Sequence, residues 1–254
     1  MIPKIIHYCW FGRGKLPPIA LKCIESWKKY LPEYKIIKWS EENFDVNMIS
    51  YTAEAYRQKK FAFVSDFVRL YVVYRYGGIY FDTDVEVIRP IDDFLQKGTF
   101  LGVEKKINTI DGMFVDGINP GLGFAAVPNH PFFYELINIY SKERFVNGNG
   151  SSYGYKTIVD FCTEAMIKHG YNGFASDEPV AKILHCYGVN IYSKHFFCPD
   201  FNQNKWDLMP DTRTIHHYCA SWLPVSYRIK ISIVRFLPSK LYSLYLSVKE
   251  RIKR

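Results

Sequence analysis

Two carboxylates stand one residue apart at Asp82 and Asp84, at the end of the stretch "RYGGIYFDTD" that spans residues 75–84. On a strand such a pair faces one side, because side chains alternate. At the C-terminal end of a strand in an α/β sheet it lies at the usual ligand crevice. Acids this close repel unless positive charge lies between them. A hard divalent cation, Mg²⁺ or Mn²⁺, completed by phosphate oxygens, satisfies them. A solvated turn is the plain alternative, because Asp is common there. Upstream, Asp66 and Arg69 lie three apart within "FAFVSDFVRLYVVYRYGG" and share a helical face. That segment is apolar enough to be buried, so the pair is either a structural ion pair or a fixed cation suited to a diphosphate.

The elements that must position these residues follow from periodicity and punctuation. "PKIIHYCWF" reads as a buried strand, "PPIALKCIESWKKYLP" as a helix opened and closed by Pro, and "EYKIIKW" as a second strand. Strand, helix, strand at this spacing is a βαβ unit, which predicts a parallel sheet and an α/β class. The helix over 61–76 should end at Gly77, in a left-handed cap, and "IYFDTD" should be a strand running into a loop at Asp82. "VEVIRPIDDF" reads as a short strand and turn, and "GLGFAAV" as another strand. "HPFFYELINIYSKER" and "YGYKTIVDFCTEAMIKHG" read as helices, and "TRTIHHYCASW" as a late strand entering a loop.

A chain of 254 residues suits one domain, or one domain with an appendage. Its net charge is +8, but residues 224–254 hold eight Lys or Arg against one acid, which leaves the preceding 223 residues at about +1. The body is nearly neutral, so a nucleic-acid-binding surface is not indicated. The six cysteines have no Cys-x-x-Cys spacing, and the opening residues lack the pattern of a secretory signal. With no apolar run of roughly 18 residues, no spanning helix is expected. Reduced thiols and a cytoplasmic setting are the expectation.

The run "FVSDFVRLYVVYRYGGIYFDTD" resembles the core of the glycosyltransferases with a DXD sugar-binding region, family 32-like. These include the yeast initiating α-mannosyltransferases, bacterial capsular polysaccharide transferases and, as relatives, the large clostridial glucosylating toxins. Ser-Asp, Arg three residues on, and Gly-Gly-x-Tyr-x-Asp-x-Asp are all present. "IPKIIHYCWFG" is similar to the family's opening strand, and "HPFF" and "HHYCASW" to later segments, so the likeness spans residues 1–223.

The resemblance implies a GT-A fold, with a mostly parallel central sheet flanked by helices. It implies a retaining hexosyltransferase that uses a nucleotide sugar and Mn²⁺ or Mg²⁺. UDP-hexose is the first choice of donor and GDP-mannose the second. A metal-dependent phosphohydrolase and a non-catalytic membrane-binding protein are the competing classes. Trp10 matches the aromatic that stacks on the base, and Ser65 and Tyr80 match nucleoside contacts. Asp66 and Arg69 match residues on the donor sugar's hydroxyls and phosphate. Asp82 matches a ribose or sugar contact and Asp84 the metal ligand. His217 matches a metal-binding His, with His216 as the fallback, and Ser221 and Trp222 match diphosphate contacts. The segment 105–121 reads as a loop where donor and acceptor meet, with Asp116 and Asn119 as candidates for sugar hydroxyls.

The tail, 224–254, is a second unit. After Pro238, Leu241, Leu244, Tyr245, Val248 and Ile252 share one helical face among basic residues. It reads either as a helix on an anionic membrane, bringing the enzyme to a polyprenyl-linked saccharide acceptor for surface or capsular polysaccharide, or as a helix packed on the domain. The first option places the enzyme peripherally at the inner face of the plasma membrane.

Overall fold

The computed structural model describes residues 1–109, 112–146, 156–174, 182–202 and 205–219. The elements are β1 (Ile5–Cys9), α1 (Pro18–Tyr30), β2 (Lys35–Trp39), α2 (Ser50–Arg57), α3 (Phe61–Tyr76), β3 (Gly78–Tyr80) and β4 (Val85–Val87). They continue with α4 (Asp92–Gln96), β5 (Phe100–Asn108), β6 (Phe114–Ile118), a 3₁₀ turn (Pro120–Leu122), β7 (Phe124–Ala126), α5 (Pro131–Lys142) and α6 (Ile158–Lys168). The last are β8 (Ile183–Cys186), β9 (Val189–Tyr192), α7 (Lys194–Phe197), β10 (Phe201–Asn202), β11 (Lys205–Trp206) and β12 (Thr214–His216). No helix among the described residues is long and apolar enough to cross a membrane, and none of the six cysteines is in a disulfide.

The main sheet has the order β2-β1-β3-β7-β5-β9-β8, with β6 paired to β5. The β1-α1-β2 unit closes in parallel, with Ile5 opposite Lys35 and Cys9 opposite Trp39, and β3 joins β1 in parallel on its other side. β5 and β9 form a further parallel pair, while β7 runs antiparallel between β3 and β5.

Strand alternation sends side chains into two cores, one on each face of the sheet. Ile6, Tyr8, Ile79, Phe81, Phe100 and Ala125 meet α1 and α7 through Trp27, Cys23 and Phe197. Cys9, Tyr80, Leu101, Phe124 and Ala126 meet α3, α5 and α6 on the other face. Tyr80 therefore points to α3, the helix that carries Asp66 and Arg69. α3 is buried around most of its circumference, as a helix apolar on nearly every side must be.

Two glycines turn α3 back into the sheet. Gly77 ends the helix with φ 64° and ψ −170°, the positive φ that favours glycine but with ψ outside the left-handed helical range. Gly78 follows at φ +100°, where a Cβ would lie 2.6 Å from the Ile5 carbonyl oxygen. His7 clamps this turn: its Nε2–H donates to the Gly77 carbonyl (2.9 Å), and its Nδ1 accepts from the Trp39 indole (3.0 Å). Burial lowers the His7 pKa to about 4, which keeps the ring neutral for both bonds.

β4 and β12 form a separate antiparallel ribbon, with His216 opposite Val85. α1 holds β4 from behind: the Trp27 indole donates to the Val85 carbonyl (2.7 Å), and Ser26 Oγ accepts the Val87 N–H (2.9 Å). The segment expected to be a loop, 105–121, is mostly the β5–β6 hairpin. Asp116 sits in β6, where its carboxylate accepts the Phe174 N–H at 2.9 Å. It anchors the segment after α6. The 105–108 half hides its strand character behind consecutive lysines at 105 and 106, which make it look solvated.

Replacing Gly78 by Ala combines an unfavourable φ with a backbone clash. Gly78→Ala should cost more than about 2 kcal/mol, read as a lower denaturant midpoint. An unchanged midpoint would mean that the β1–β3 spacing yields at no cost.

Candidate functional site

β3 ends at Tyr80, so Asp82 and Asp84 lie on the turn between β3 and β4, where the Val85 N–H returns to the Asp82 carbonyl (3.0 Å). They do not share one strand face. Arg69, 4% exposed, fills the space beneath them. Its Nη2 meets Asp66 Oδ1 at 2.9 Å, its Nη1 meets Asp82 Oδ2 at 3.2 Å, and its Nε donates to the Ser65 carbonyl at 3.2 Å. The guanidinium also lies 4.9 Å over the Tyr80 ring, whose hydroxyl donates to Asp82 Oδ1 (3.0 Å).

These contacts bear on two expected ligand residues. Tyr80 is 1% exposed and orients Asp82 from below. Arg69 is engaged by Asp66, Asp82 and the Ser65 carbonyl, and so positions the acids. Ser65, half-buried, donates to the Phe61 carbonyl (3.1 Å).

Three aspartates share this guanidinium and one histidine. Burial pushes the Asp66 carboxyl up to about 7, against the pull of Arg69 and with repulsion from Asp82. Burial raises Asp82 as well, opposed by Arg69 and reinforced by Asp84. Asp84 goes the other way: burial works against its charge, but the His216 imidazole and the Cys219 N–H outweigh it and hold the carboxyl well below the usual range. His216 Nε2 lies 3.2 Å from Asp84 Oδ1, and the Cys219 N–H donates to Oδ2 at 2.8 Å.

The ribbon decides which histidine takes part. His216 ends β12 and His217 follows directly in extended continuation, so their side chains leave on opposite sides. His216 faces Asp84, whereas His217 Nε2 meets Glu86 Oε2 at 2.8 Å on the other side, beside Lys22. The expected pairing of Asp84 with His217 is thus replaced by Asp84 with His216. Asp82, Asp84 and His216 can each offer one ligand atom, all within 4.8 Å of one another. His216 Nδ1 is buried without a hydrogen-bond partner among the described residues. Two carboxylates and an imidazole with an unsatisfied nitrogen suit a divalent cation such as Mn²⁺ or Mg²⁺.

The other wall comes from the turn after β6. Asn119 Oδ1 accepts the Gly121 N–H (2.7 Å), and its Nδ2 donates to Glu104 Oε2 (2.9 Å). One bond at each end of the amide fixes Asn119 in this wall. Glu104 and Tyr218 were not anticipated. The Tyr218 hydroxyl donates to Glu104 Oε2 at 3.1 Å and lies 2.7 Å from Cys198 Sγ, whose thiol is then the donor. The Tyr218 ring lies edge-on to His216, with centroids 4.1 Å apart. Residues 104, 198 and 218 share no local motif, so only the fold brings them together. Trp10 is half-buried at the end of β1, its indole N–H donating to the Gly14 carbonyl (2.6 Å). Ser221 and Trp222 lie outside the described residues.

The site is a cluster of acids and a histidine at the edge of an α/β sheet, next to a buried Asp–Arg pair. The profile described as "Glycosyltransferase sugar-binding region containing DXD motif" matches residues 17–101. An uncharacterized glycosyltransferase of Acanthamoeba polyphaga mimivirus is 30% identical over 231 residues, covering 88% of this chain and 85% of that protein. The chain belongs to this family of DXD glycosyltransferases. It is also 29% identical over 153 residues to inositol phosphoceramide mannosyltransferase 1 of Schizosaccharomyces pombe, a match covering 56% of this chain and 43% of the yeast protein. The chain thus spans less than half the length of that relative. Among solved structures, the PaToxG glycosyltransferase is similar at 19% identity with a TM-score of 0.45, over 66% of this chain and 69% of that one.

Gly121 passes so close to the acids that a Cβ there would lie 2.5 Å from Asp82 Oδ2 and 2.9 Å from Asn119 Oδ1. Gly121→Ala should displace Asp82, lower stability by roughly 1–3 kcal/mol and, if the cluster takes Mn²⁺, give a smaller Mn²⁺-induced thermal upshift than the parent. A variant that melts and responds to Mn²⁺ like the parent would mean that the site does not depend on this close approach.

Proposed function

We propose that the chain is a metal-assisted, retaining hexosyltransferase that moves a sugar from a nucleoside diphosphate to a saccharide or glycolipid headgroup. The observation that carries this reading is the convergence of Asp82, Asp84 and His216 beside the Asp66–Arg69 pair. Asp84 and His216, with Asp82 beside them, would hold Mn²⁺ or Mg²⁺, which neutralises charge on a departing diphosphate when bound. Arg69 keeps Asp82 and Asp66 fixed at the pocket floor. Asp66, with its raised pKa, is suited to hydrogen-bond a sugar hydroxyl as either donor or acceptor. Retention of anomeric configuration is carried over from the transferases that the motif resembles.

The name of the yeast relative supports a mannosyl unit, which moves GDP-mannose ahead of UDP-hexose as the donor. The same name supports a lipid-borne acceptor. A role in surface or capsular polysaccharide and a polyprenyl-linked acceptor belong to this proposal. So do membrane attachment through residues 224–254, which lie outside the described residues, and a peripheral cytoplasmic location.

The test is incubation with a panel of nucleotide sugars and Mn²⁺, following release of nucleoside diphosphate. Asp84→Ala should keep the fold by circular dichroism and lower turnover by roughly 100-fold or more. Undiminished turnover, or release of inorganic phosphate from a phosphate monoester in place of nucleoside diphosphate, would sink the reading.

A further inference from the structure

The end of β1 and the end of β2 enclose a groove that none of the acids described above enters. It is lined by Trp10, Arg13, Lys38, Ser40, Glu41 and Glu42. Its place relative to the acid cluster follows from the sheet. β1 and β3 are parallel neighbours, so Trp10, just past β1, and Asp82, just past β3, emerge at one sheet edge. Between them lies the buried Cys9 thiol, within hydrogen-bond reach of Tyr80 and Ser65. A ligand with its diphosphate at Asp84 would therefore extend its far end toward Trp10.

Two carboxylates in this groove oppose a phosphate but not a ring with N–H groups. Glu41 is held in place before any ligand arrives: the Gly12 N–H (2.6 Å) and the Tyr56 hydroxyl (2.9 Å) both donate to its Oε1. Its pKa is lowered: burial works against the charge, but the Gly12 N–H, its own backbone N–H, the Tyr56 hydroxyl and the nearby Arg13 together outweigh it, so it is a carboxylate at neutral pH. A fixed carboxylate beside an indole face selects among bases by the pattern of donors. Guanine presents N1–H and N2–H₂ side by side, which one carboxylate can accept together. Uracil presents one N–H between two carbonyl oxygens, and both oxygens would face the negative charge. Adenine places its acceptor N1 beside the N6 donor, so one of the two contacts is repulsive. Arg13 and Lys38 add donors of the kind that guanine O6 accepts.

We infer that Glu41 reads the base of the donor nucleotide, and that this groove selects guanine over uracil and adenine. The inference rests on the nucleotide-sugar reading of the acid cluster, and its test separates the two. Dissociation constants for GDP, UDP and ADP are measured by calorimetry in Mn²⁺, on the full chain and on two variants. Glu41→Gln keeps an oxygen for Gly12 and Tyr56 but loses the charge and one acceptor. The parent should bind GDP at least roughly tenfold more tightly than UDP or ADP, since a site built on such hydrogen bonds rejects ligands that cannot supply them. Glu41→Gln should weaken GDP by roughly tenfold or more while leaving UDP nearly unchanged. Trp10→Ala should weaken all three alike, as loss of a stacking face does. UDP bound as tightly as GDP by the parent would overturn the assignment. So would equal weakening of GDP and UDP by Glu41→Gln, which would make Glu41 a loop support only. If none of the three nucleotides binds to the parent, the donor-site reading itself falls, and the base assignment with it.

Discussion

One guanidinium has to serve two carboxylates. Arg69 is buried in α3 and faces Asp66 within its own helix and Asp82 across the turn. An unpaired charge of either sign at that depth is strongly disfavoured, so the arrangement of α3 against β3 is fixed by electrostatics as well as by packing. Tyr80 lies under the same guanidinium and aims its hydroxyl at Asp82. The apolar surroundings make each of these contacts stronger than it would be in water, and they leave few alternative positions for the acids above.

Above that floor, charge balance is incomplete. Three aspartates converge, and among the described residues the cationic partners of these acids are Arg69 and His216. The pKa directions divide the acids by role: Asp66 and Asp82 are pushed toward the proton by burial, whereas Asp84 is held ionised by His216 and the Cys219 N–H. The acid that ionises most readily is also the one paired with His216 Nε2, a histidine whose other ring nitrogen has no hydrogen-bond partner among the described residues. The site is thus graded, with a charged rim at Asp84 and a floor whose charge depends on its occupant.

Much of this was legible because it is local. The βαβ start, the buried α3 and the Asp–Arg spacing follow from periodicity within single segments, and the run over residues 63–84 has a spacing too long and too mixed to be generic. What was not legible is set by pairing. His216 and His217 are adjacent and chemically identical, and only the register of β12 against β4 decides which one faces Asp84. Asp116 and Asn119 looked like loop residues with polar groups to spare. Each is spoken for by a partner far along the chain or across a turn, Phe174 for one and Glu104 with Gly121 for the other. Glu104 and Tyr218 carry no signal in sequence, since their contact spans more than a hundred positions.

The β4–β12 ribbon is three residues long on each strand and stands apart from the main sheet. Short ladders of this kind open more readily than the strands of a large sheet. β4 is rooted in one of the two cores through Val85 and Val87, whereas no residue of β12 belongs to either, so β12 is the strand that can part while the cores remain folded. Partial opening would take His216 and the Cys219 amide away from Asp84 and release its carboxylate to the ordinary range. The surroundings of Asp84 therefore depend on one small clasp, and they can be lost with the bulk of the domain still native.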